Sequence, residues 1–201
     1  MRRRGRGSKR GTPVPDPAPR RAVFLDRDGT ICEEMGYLNH ITRFRLFPFA
    51  APAIRRLNEA GFPVIVLTNQ SGVARGIFPE ELVNLVHEKM VAELAAGGAR
   101  VDGIYYCPHK GDDKCECRKP RPGMLEQAVR EHNLTAEGSF MVSDRFADLD
   151  LLQSRGGGGI LVLTGYGRGE YEWNRSRWPR QPDFVAEDLS VAVDVILKEA
   201  Q

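Results

Sequence analysis

An aspartate pair at the end of an apolar run constrains this chain more than any other feature of its sequence. Residues 22–25 are apolar and predict a buried strand, which ends at Asp26. Asp28 follows, and Gly29 then turns the chain away. Two carboxylates at this spacing can share one hard cation and still face one substrate oxygen. One can attack phosphorus while the other moves the leaving group's proton. The pattern predicts a phosphoryl-transfer site, with a solvated acidic turn as the simpler alternative.

Residues 23–30, with the sequence VFLDRDGT, resemble the first motif of the haloacid dehalogenase phosphatase superfamily, in which the first aspartate becomes a phospho-aspartate. This resemblance implies that a hydroxyl, a lysine and a further acidic residue follow in a fixed order. The chain supplies Thr68, Lys119 and Asp144 in that order. We expect Thr68 to face the phosphoryl oxygens, Lys119 to offset negative charge, and Asp144 to complete a Mg²⁺ site. Asp148, one helical turn further on, is expected to support that site.

Strand and helix patterns alternate along the rest of the chain. Strands are predicted at residues 22–26, 63–68, 101–106, 139–143 and 159–164, and helices at about 50–60, 79–96, 122–132, 145–155 and 189–199. This order predicts an α/β fold with a Rossmann-like parallel sheet covered by helices on both faces. Ligands are expected at the carboxyl ends of the strands. About 40 residues separate Asp28 from Thr68, so we expect a capless fold.

Length and composition favour one globular domain. The chain has 201 residues, of which 41% are hydrophobic and 28% charged. No apolar run approaches the roughly 18 residues of a membrane span, and the N-terminus lacks the apolar core of a secretory signal. We therefore expect a cytoplasmic protein with no membrane partner. The resemblance to the phosphatase superfamily implies a small-molecule substrate as partner, and a monomer is expected.

The N-terminal segment differs sharply from the rest of the chain. Residues 1–21 contain eight basic residues and one acidic residue, with several glycines and prolines and almost no apolar side chains. Residues 1–20 are therefore predicted to be a disordered basic tail, and residues 21–201 a single domain. The tail could make nonspecific contacts with nucleic acid or anionic lipid, or it could be a dispensable extension.

Three of the four cysteines cluster with one histidine in a polar loop at residues 107–117. Three thiolates and one imidazole suit a closed, structural Zn²⁺ site, and the alternative is a loop of free thiols without metal. The predicted ligands are Cys107, His109, Cys115 and Cys117. Because Arg118 and Lys119 follow directly, the metal is expected to hold these two side chains in place. Cys32 lies apart and is predicted to be a small apolar core residue.

Four segments narrow the resemblance within the superfamily. They are residues 26–30 (DRDGT), 68–76 (TNQSGVARG), 105–109 (YYCPH) and 117–120 (CRKP). Together they closely resemble the D-glycero-D-manno-heptose 1,7-bisphosphate phosphatases of the histidinol-phosphatase-like branch, and the resemblance covers roughly residues 21–165. It implies Mg²⁺-dependent removal of the 7-phosphate on a route to nucleotide-activated heptose. Such heptose feeds lipopolysaccharide core or surface-layer glycans.

The same resemblance implies a role for each matching residue. Asp26 is the nucleophile and Asp28 the general acid, then base. Asp26, the backbone carbonyl of Asp28, and Asp144 hold Mg²⁺, while Thr68 and Lys119 stabilise the transferring phosphoryl group. Arg118 contacts the distal phosphate, and its planar fork suits that task. Further substrate contacts are implied for Asn69, Gln70, Ser71 and Arg145 and for the loop of Glu34, Met35, Gly36 and Tyr37.

Two positions depart from the family pattern, and two other functions stay open. Ser143 stands where a glycine usually precedes Asp144, and Arg145 replaces a common lysine. The alternatives are a histidinol-phosphate or other small phosphate-ester phosphatase, and a zinc-stabilised nucleic-acid-binding module. The filled catalytic positions favour an enzyme, so no nucleic-acid partner is expected.

Three other features are predicted to carry no site. His87 is taken as an ordinary surface or helix residue, and Trp173 and Trp178 as packing over the core. The glycine-rich run 165–169 lacks dinucleotide-binding spacing, and no helix is predicted after it.

Overall fold

Parallel strands and helices alternate along the chain in the computed structural model, which describes residues 18–200. The strands are β1 (Arg20–Leu25), β2 (Val64–Asn69), β3 (Gly103–Cys107), β4 (Leu134–Ser143), β5 (Gly158–Val162) and β6 (Phe184–Ala186). The helices are α1 (Ala50–Glu59), α2 (Glu80–Ala96), α3 (Gly123–Glu131), α4 (Phe146–Gln153), the short α5 (Gly167–Gly169) and α6 (Leu189–Glu199). Most of the predicted tail lies outside the described residues, and β1 already begins at Arg20, the last residue assigned to that tail.

The strands form one parallel sheet in the order β3-β2-β1-β4-β5-β6. β1 lies at the centre, with Val23 opposite Val64 of β2 on one side and Phe140 of β4 on the other. The chain reverses its direction of winding at the β1–β4 pair, which is where open α/β sheets bind ligands at the strands' carboxyl ends. The predicted Rossmann-like sheet is therefore confirmed, and no inserted cap domain interrupts residues 18–200.

Alternate residues of the strands point into two separate cores. On β1, Val23 and Leu25 pack in a cluster with residues of α1, α2 and α6. Phe24 points to the opposite face and packs in a cluster with residues of α3 and α4. Because side chains alternate between the faces of a strand, a parallel sheet covered on both faces must be apolar at every position. This explains the uninterrupted apolar run before Asp26.

The segment after β5 corrects two sequence predictions. A helical stretch does follow the glycine run, because α5 continues as a π-helix at Glu170–Asn174 and a 3₁₀-helix at Arg175–Arg177. Trp178 packs as predicted, with its ring stacked on Phe146 at 4.5 Å between centroids. Trp173 does not, since it is 76% exposed. β6 was also missed, because it has only three residues and no long apolar run. None of the described helices has the length and apolar character needed to span a membrane.

Candidate active site

A polar pocket of about 560 Å³ opens at the carboxyl ends of the central strands. It is lined by the residues to which the sequence assigned catalytic and substrate-binding roles: Asp26, Asp28, Glu34, Met35, Gly36, Tyr37, Thr68, Asn69, Gln70, Ser71, Arg118, Lys119 and Arg145. They come from segments far apart in the chain, and the parallel sheet brings them together because its strands end at a common edge.

A buried lysine links two carboxylates at the floor of this pocket. Lys119 Nζ donates to Asp26 Oδ1 at 2.9 Å and to Asp148 Oδ2 at 2.6 Å. It also donates to the backbone carbonyl of Leu67 at 2.6 Å, so all three ammonium protons have an acceptor. Burial opposes the charged form of Lys119, but Asp148 and Asp26 outweigh it and raise the pKa of the ammonium. Asp148 therefore holds the lysine, and the Mg²⁺ support predicted for it stays a prediction.

The carboxylates of the site carry more negative charge than Lys119 offsets. Burial raises the pKa of Asp26 to about 6, with Asp148 and Asp28 adding to the rise and Lys119 opposing it. Burial and the charge of Asp26 raise the pKa of Asp144 to about 8. A carboxyl group so shifted is stabilised as an anion when a cation is added nearby. The electrostatics of the site thus favour a bound cation.

Asp144 is shaped to accept such a cation. Its Oδ2 accepts from the backbone N–H of Tyr166 at 2.8 Å, whereas the buried Oδ1 has no hydrogen-bond partner among residues 18–200. Gly29 and Gly165 both have positive φ, and a Cβ on either would lie within 2.2 Å of Asp144 Oδ2. The two glycines therefore keep space for this carboxylate, and its free buried oxygen fits the hard, oxygen-preferring Mg²⁺.

Asp28 is held by donors on two sides. Arg27 Nη2 lies 2.8 Å from Asp28 Oδ2 and 3.0 Å from Oδ1. Gln70 Nε2 donates to Asp28 Oδ2 at 2.9 Å and to Thr68 Oγ1 at 2.8 Å. Because Thr68 Oγ1 accepts from Gln70, its own hydroxyl proton is free to be donated into the pocket.

The four predicted zinc ligands converge beside the pocket. Their ligand atoms all lie within 4.8 Å of one another. Cys107 Sγ lies 3.6 Å from Cys115 Sγ and 3.0 Å from Cys117 Sγ, and His109 Nδ1 lies 3.3 Å from Cys117 Sγ. A tetrahedral centre with zinc–sulfur bonds of about 2.3 Å would separate neighbouring sulfurs by roughly 3.8 Å. The donor set suits Zn²⁺, and the sulfur–sulfur distances of 3.0 and 3.6 Å are shorter than this spacing.

Three hydrogen bonds position Arg118 and Lys119, the two residues that follow the Cys/His cluster. Arg118 Nη1 donates to the backbone carbonyl of His109 at 3.1 Å. Asn69, at the end of β2, brackets the backbone of Lys119: its Nδ2 donates to the Lys119 carbonyl and its Oδ1 accepts from the Lys119 N–H, both at 3.1 Å. The lysine backbone is thus fixed by the sheet on one side and by the cluster on the other.

The mouth of the pocket contains residues that the sequence did not single out. Arg145 stacks on the ring of Tyr166 at 3.7 Å and pairs with Glu170 at 3.5 Å. Tyr166 and Glu170 both line the pocket. They lie in the glycine-rich run and the helical stretch after it, where no site was predicted. Ser143, the departure before Asp144, is fully buried; its hydroxyl donates to Asp148 at 2.8 Å and accepts from the Arg145 N–H at 3.0 Å.

Comparisons with known proteins agree with this geometry. A family model described as polynucleotide kinase 3 phosphatase matches residues 22–149, and one described as HAD-hydrolase-like matches residues 116–192. The D-glycero-D-manno-heptose-1,7-bisphosphate 7-phosphatase of Thermosynechococcus vestitus is 40% identical over 189 residues, covering 89% of this chain and 96% of that protein. The D-glycero-beta-D-manno-heptose-1,7-bisphosphate 7-phosphatase of Yersinia pestis is 44% identical over 152 residues, covering 72% and 81%.

A solved structure of a related phosphatase is also similar to this chain. The D,D-heptose 1,7-bisphosphate phosphatase from B. bronchiseptica, crystallised with magnesium and phosphate, has a TM-score of 0.81 and 35% identity to this chain. The match covers 89% of this chain and 99% of that one. The chain belongs to the D-glycero-D-manno-heptose 1,7-bisphosphate 7-phosphatase family of HAD-like hydrolases.

Proposed function

We propose that this protein is a Mg²⁺-dependent phosphatase that removes the 7-phosphate of D-glycero-D-manno-heptose 1,7-bisphosphate through a phospho-aspartate. The observation that supports this proposal most is the pairing of Asp26 with Lys119 at 2.9 Å in a pocket that Arg118 also lines. The product would supply nucleotide-activated heptose for lipopolysaccharide core or surface-layer glycans.

The first chemical step forms the phospho-aspartate. Because Asp26 Oδ1 accepts from Lys119, its other oxygen is available to attack the phosphorus of the 7-phosphate. The bond between phosphorus and the sugar oxygen breaks, and Asp28 gives that oxygen a proton. Thr68 donates to the phosphoryl oxygens as negative charge develops on them, and the nearby ammonium of Lys119 offsets that charge.

The second step releases phosphate. Asp28, now ionised, takes a proton from a water molecule that attacks phosphorus from the opposite side. The bond between phosphorus and Asp26 breaks, which restores both carboxyl groups to their starting states. Mg²⁺ would be held by Asp26, Asp144 and the backbone carbonyl of Asp28, and it would neutralise charge on the phosphoryl group.

We also propose that Cys107, His109, Cys115 and Cys117 hold a structural Zn²⁺. Burial raises the pKa of the Cys107 thiol, with the neighbouring thiols adding to the rise, so a thiolate there requires a cation. All four positions of the tetrahedron are filled by protein, which leaves none for a reacting water.

Cys115→Ser should therefore lose zinc and loosen the segment that carries Arg118 and Lys119. We expect about one zinc per chain in freshly purified wild-type protein and well under half of that in the variant. Elemental analysis measures the metal, and hydrogen exchange at residues 115–121 measures the loosening. Cys32→Ala is the matched control, because Cys32 packs in the other core and should keep the full zinc content. Wild-type protein without zinc would refute the proposal.

Arg118 is proposed to bind the distal 1-phosphate of the substrate. A second dianion needs a fixed cation, since burying it without a partner is costly. Arg118→Ala should lower kcat/KM for heptose bisphosphate roughly 10- to 150-fold, the value of one charge-assisted contact of about 1.5–3 kcal/mol. It should change kcat/KM for p-nitrophenyl phosphate little, because that substrate has no second phosphate.

A substrate panel tests the function and the role of Arg118 together. Wild-type kcat/KM is measured on the α and β anomers of heptose bisphosphate, on histidinol phosphate and on a 3′-phosphorylated oligonucleotide. Heptose bisphosphate should be preferred by the wild type, and the preference should shrink in Arg118→Ala. A wild type that prefers histidinol phosphate or the oligonucleotide would overturn the proposed substrate. Equal losses of kcat/KM on heptose bisphosphate and on p-nitrophenyl phosphate in Arg118→Ala would overturn the role of Arg118.

A further inference from the structure

We propose that His87 is a positioning residue that acts through the buried side chain of Arg27 to orient the carboxyl group of Asp28. The inference rests on the proposed role of Asp28 as general acid and base. It adds a residue from helix α2, 59 positions after Asp28 in the chain, to the machinery of the pocket. His87 was predicted to be an ordinary surface or helix residue; it lies in α2 but is buried, with 8% of its surface exposed.

Arg27 is the link between the two side chains. It is 1% exposed, which is unusual for an arginine. Its Nε and Nη2 face Asp28, at 3.3 Å and 3.0 Å from Oδ1, and Nη2 is also 2.8 Å from Oδ2. Its Nη1 points the other way and lies 3.1 Å from His87 Nε2. The guanidinium is planar, so fixing one nitrogen fixes the direction of the others.

His87 must accept the hydrogen bond from Arg27. A guanidinium has only donors, so the Nε2 that faces it carries a lone pair and the ring proton is on Nδ1. Burial and the adjacent charge of Arg27 lower the pKa of His87 to about 4, so the ring stays neutral and keeps this role at ordinary assay pH. The ring is held edge-on against Tyr106, whose hydroxyl donates to Glu80 at 2.8 Å.

The direction of the Asp28 carboxyl group depends on this chain of contacts. Gln70 contacts Oδ2 from one side, while Arg27 spans both oxygens from the other. Without His87 as acceptor, Nη1 would be left buried and unpaired, and the guanidinium would turn to find another partner. Asp28 would then turn with it. A general acid displaced by about 1 Å can cost roughly 100-fold in rate.

Leaving-group dependence separates this role from a merely structural one. A sugar oxygen must be protonated as it leaves, whereas p-nitrophenolate leaves without a proton, so only the first substrate needs Asp28 as an acid. The ratio kcat/KM reports the steps up to leaving-group departure and is independent of the later hydrolysis, which both substrates share. In His87→Phe, kcat/KM should fall roughly 10- to 100-fold on heptose bisphosphate and less than about threefold on p-nitrophenyl phosphate.

Matched variants complete the experiment. His87→Gln restores an acceptor toward Arg27 and should recover most of the loss, and Tyr106→Phe keeps the neighbouring ring and should match wild type. Asp28→Asn removes the general acid itself and is the reference variant. If its loss of kcat/KM is equal on heptose bisphosphate and on p-nitrophenyl phosphate, the proposed role of Asp28 fails. If Asp28→Asn is selective but His87→Phe loses equally on both substrates, or His87→Gln is no better than His87→Phe, the inference about His87 is overturned.

A second variant, Arg27→Lys, tests the role of His87 in case His87→Phe does not fold. Arg27→Lys keeps the charge but cannot reach Asp28 and His87 at once, because an ammonium lacks the planar fork. It should show the same selective loss on heptose bisphosphate as His87→Phe. Equal losses on the two substrates in Arg27→Lys would overturn the proposal even if His87→Phe does not fold.

Discussion

Asp26→Asn should lower kcat by at least ~10⁴-fold, because an amide cannot form the phospho-aspartate on which both chemical steps depend. The protein should stay folded. Lys119 would keep Asp148 and the Leu67 carbonyl as acceptors, each at 2.6 Å, and asparagine has nearly the shape of aspartate. Steady-state kinetics measures the loss, and acid-quenched protein measures the intermediate: labelled substrate should leave one phosphoryl group on the wild-type Asp26 peptide and none on the variant.

Two control variants test whether the loss of activity comes from the missing nucleophile. Asp26→Ala cannot revert to aspartate by side-chain hydrolysis, so it should be as inactive as Asp26→Asn. Asp150→Asn removes a carboxylate from α4 that lies outside the pocket lining and should keep wild-type kcat. Turnover near wild type in both Asp26 variants would refute the covalent mechanism.

Lys119→Met should damage stability and activity together. The substitution keeps the unbranched stem but removes the cation between Asp26 and Asp148, which leaves two buried carboxylates facing each other. Removing one partner of a buried ion pair costs about 3–5 kcal/mol of unfolding free energy. The nucleophile would also lose the charge that offsets it and the incoming phosphate, so we expect kcat to fall at least ~10²-fold. Denaturant unfolding and steady-state kinetics measure the two effects.

A second substitution identifies the cause. In Lys119→Met combined with Asp148→Asn, one of the two orphaned charges is gone, so part of the lost stability should return. The lost activity should not return, because the phosphate still lacks its cation. A double variant no more stable than Lys119→Met would show that cavity formation, and not charge, sets the cost.

The sequence was sufficient to predict that the polar residues at the carboxyl ends of the central strands converge, because parallel sheets impose it. Asp26, Thr68 and Asp144 each follow or close an apolar run, and every such run ends at the same edge of the sheet. Convergence of these residues required only that the strands be parallel. The Cys/His cluster was equally predictable, since its ligands are local in sequence and their chemistry is specific.

The contacts of Arg27 with Asp28 and His87 could not be predicted in the same way. Arg27 looks like a solvated residue between two aspartates, and His87 occupies one position of a helix with no pattern to mark it. Their contact depends on how α2 packs against the sheet, which is a tertiary property. The stacking of Arg145 on Tyr166 could not be predicted either. Tyr166 lies in the glycine-rich run, which indicated an irregular loop.

The two hydrogen bonds between the Asn69 side chain and the Lys119 backbone have a consequence for how this enzyme can change over evolutionary time. The lysine is anchored by β2 on one side and by the Cys/His cluster on the other, while residues 110–114 lie between the two ligand pairs, mostly exposed to solvent. Insertions or deletions there alter the length of the loop without passing strain to the ammonium group. That stretch is free to diversify while the phosphate-binding geometry stays constant.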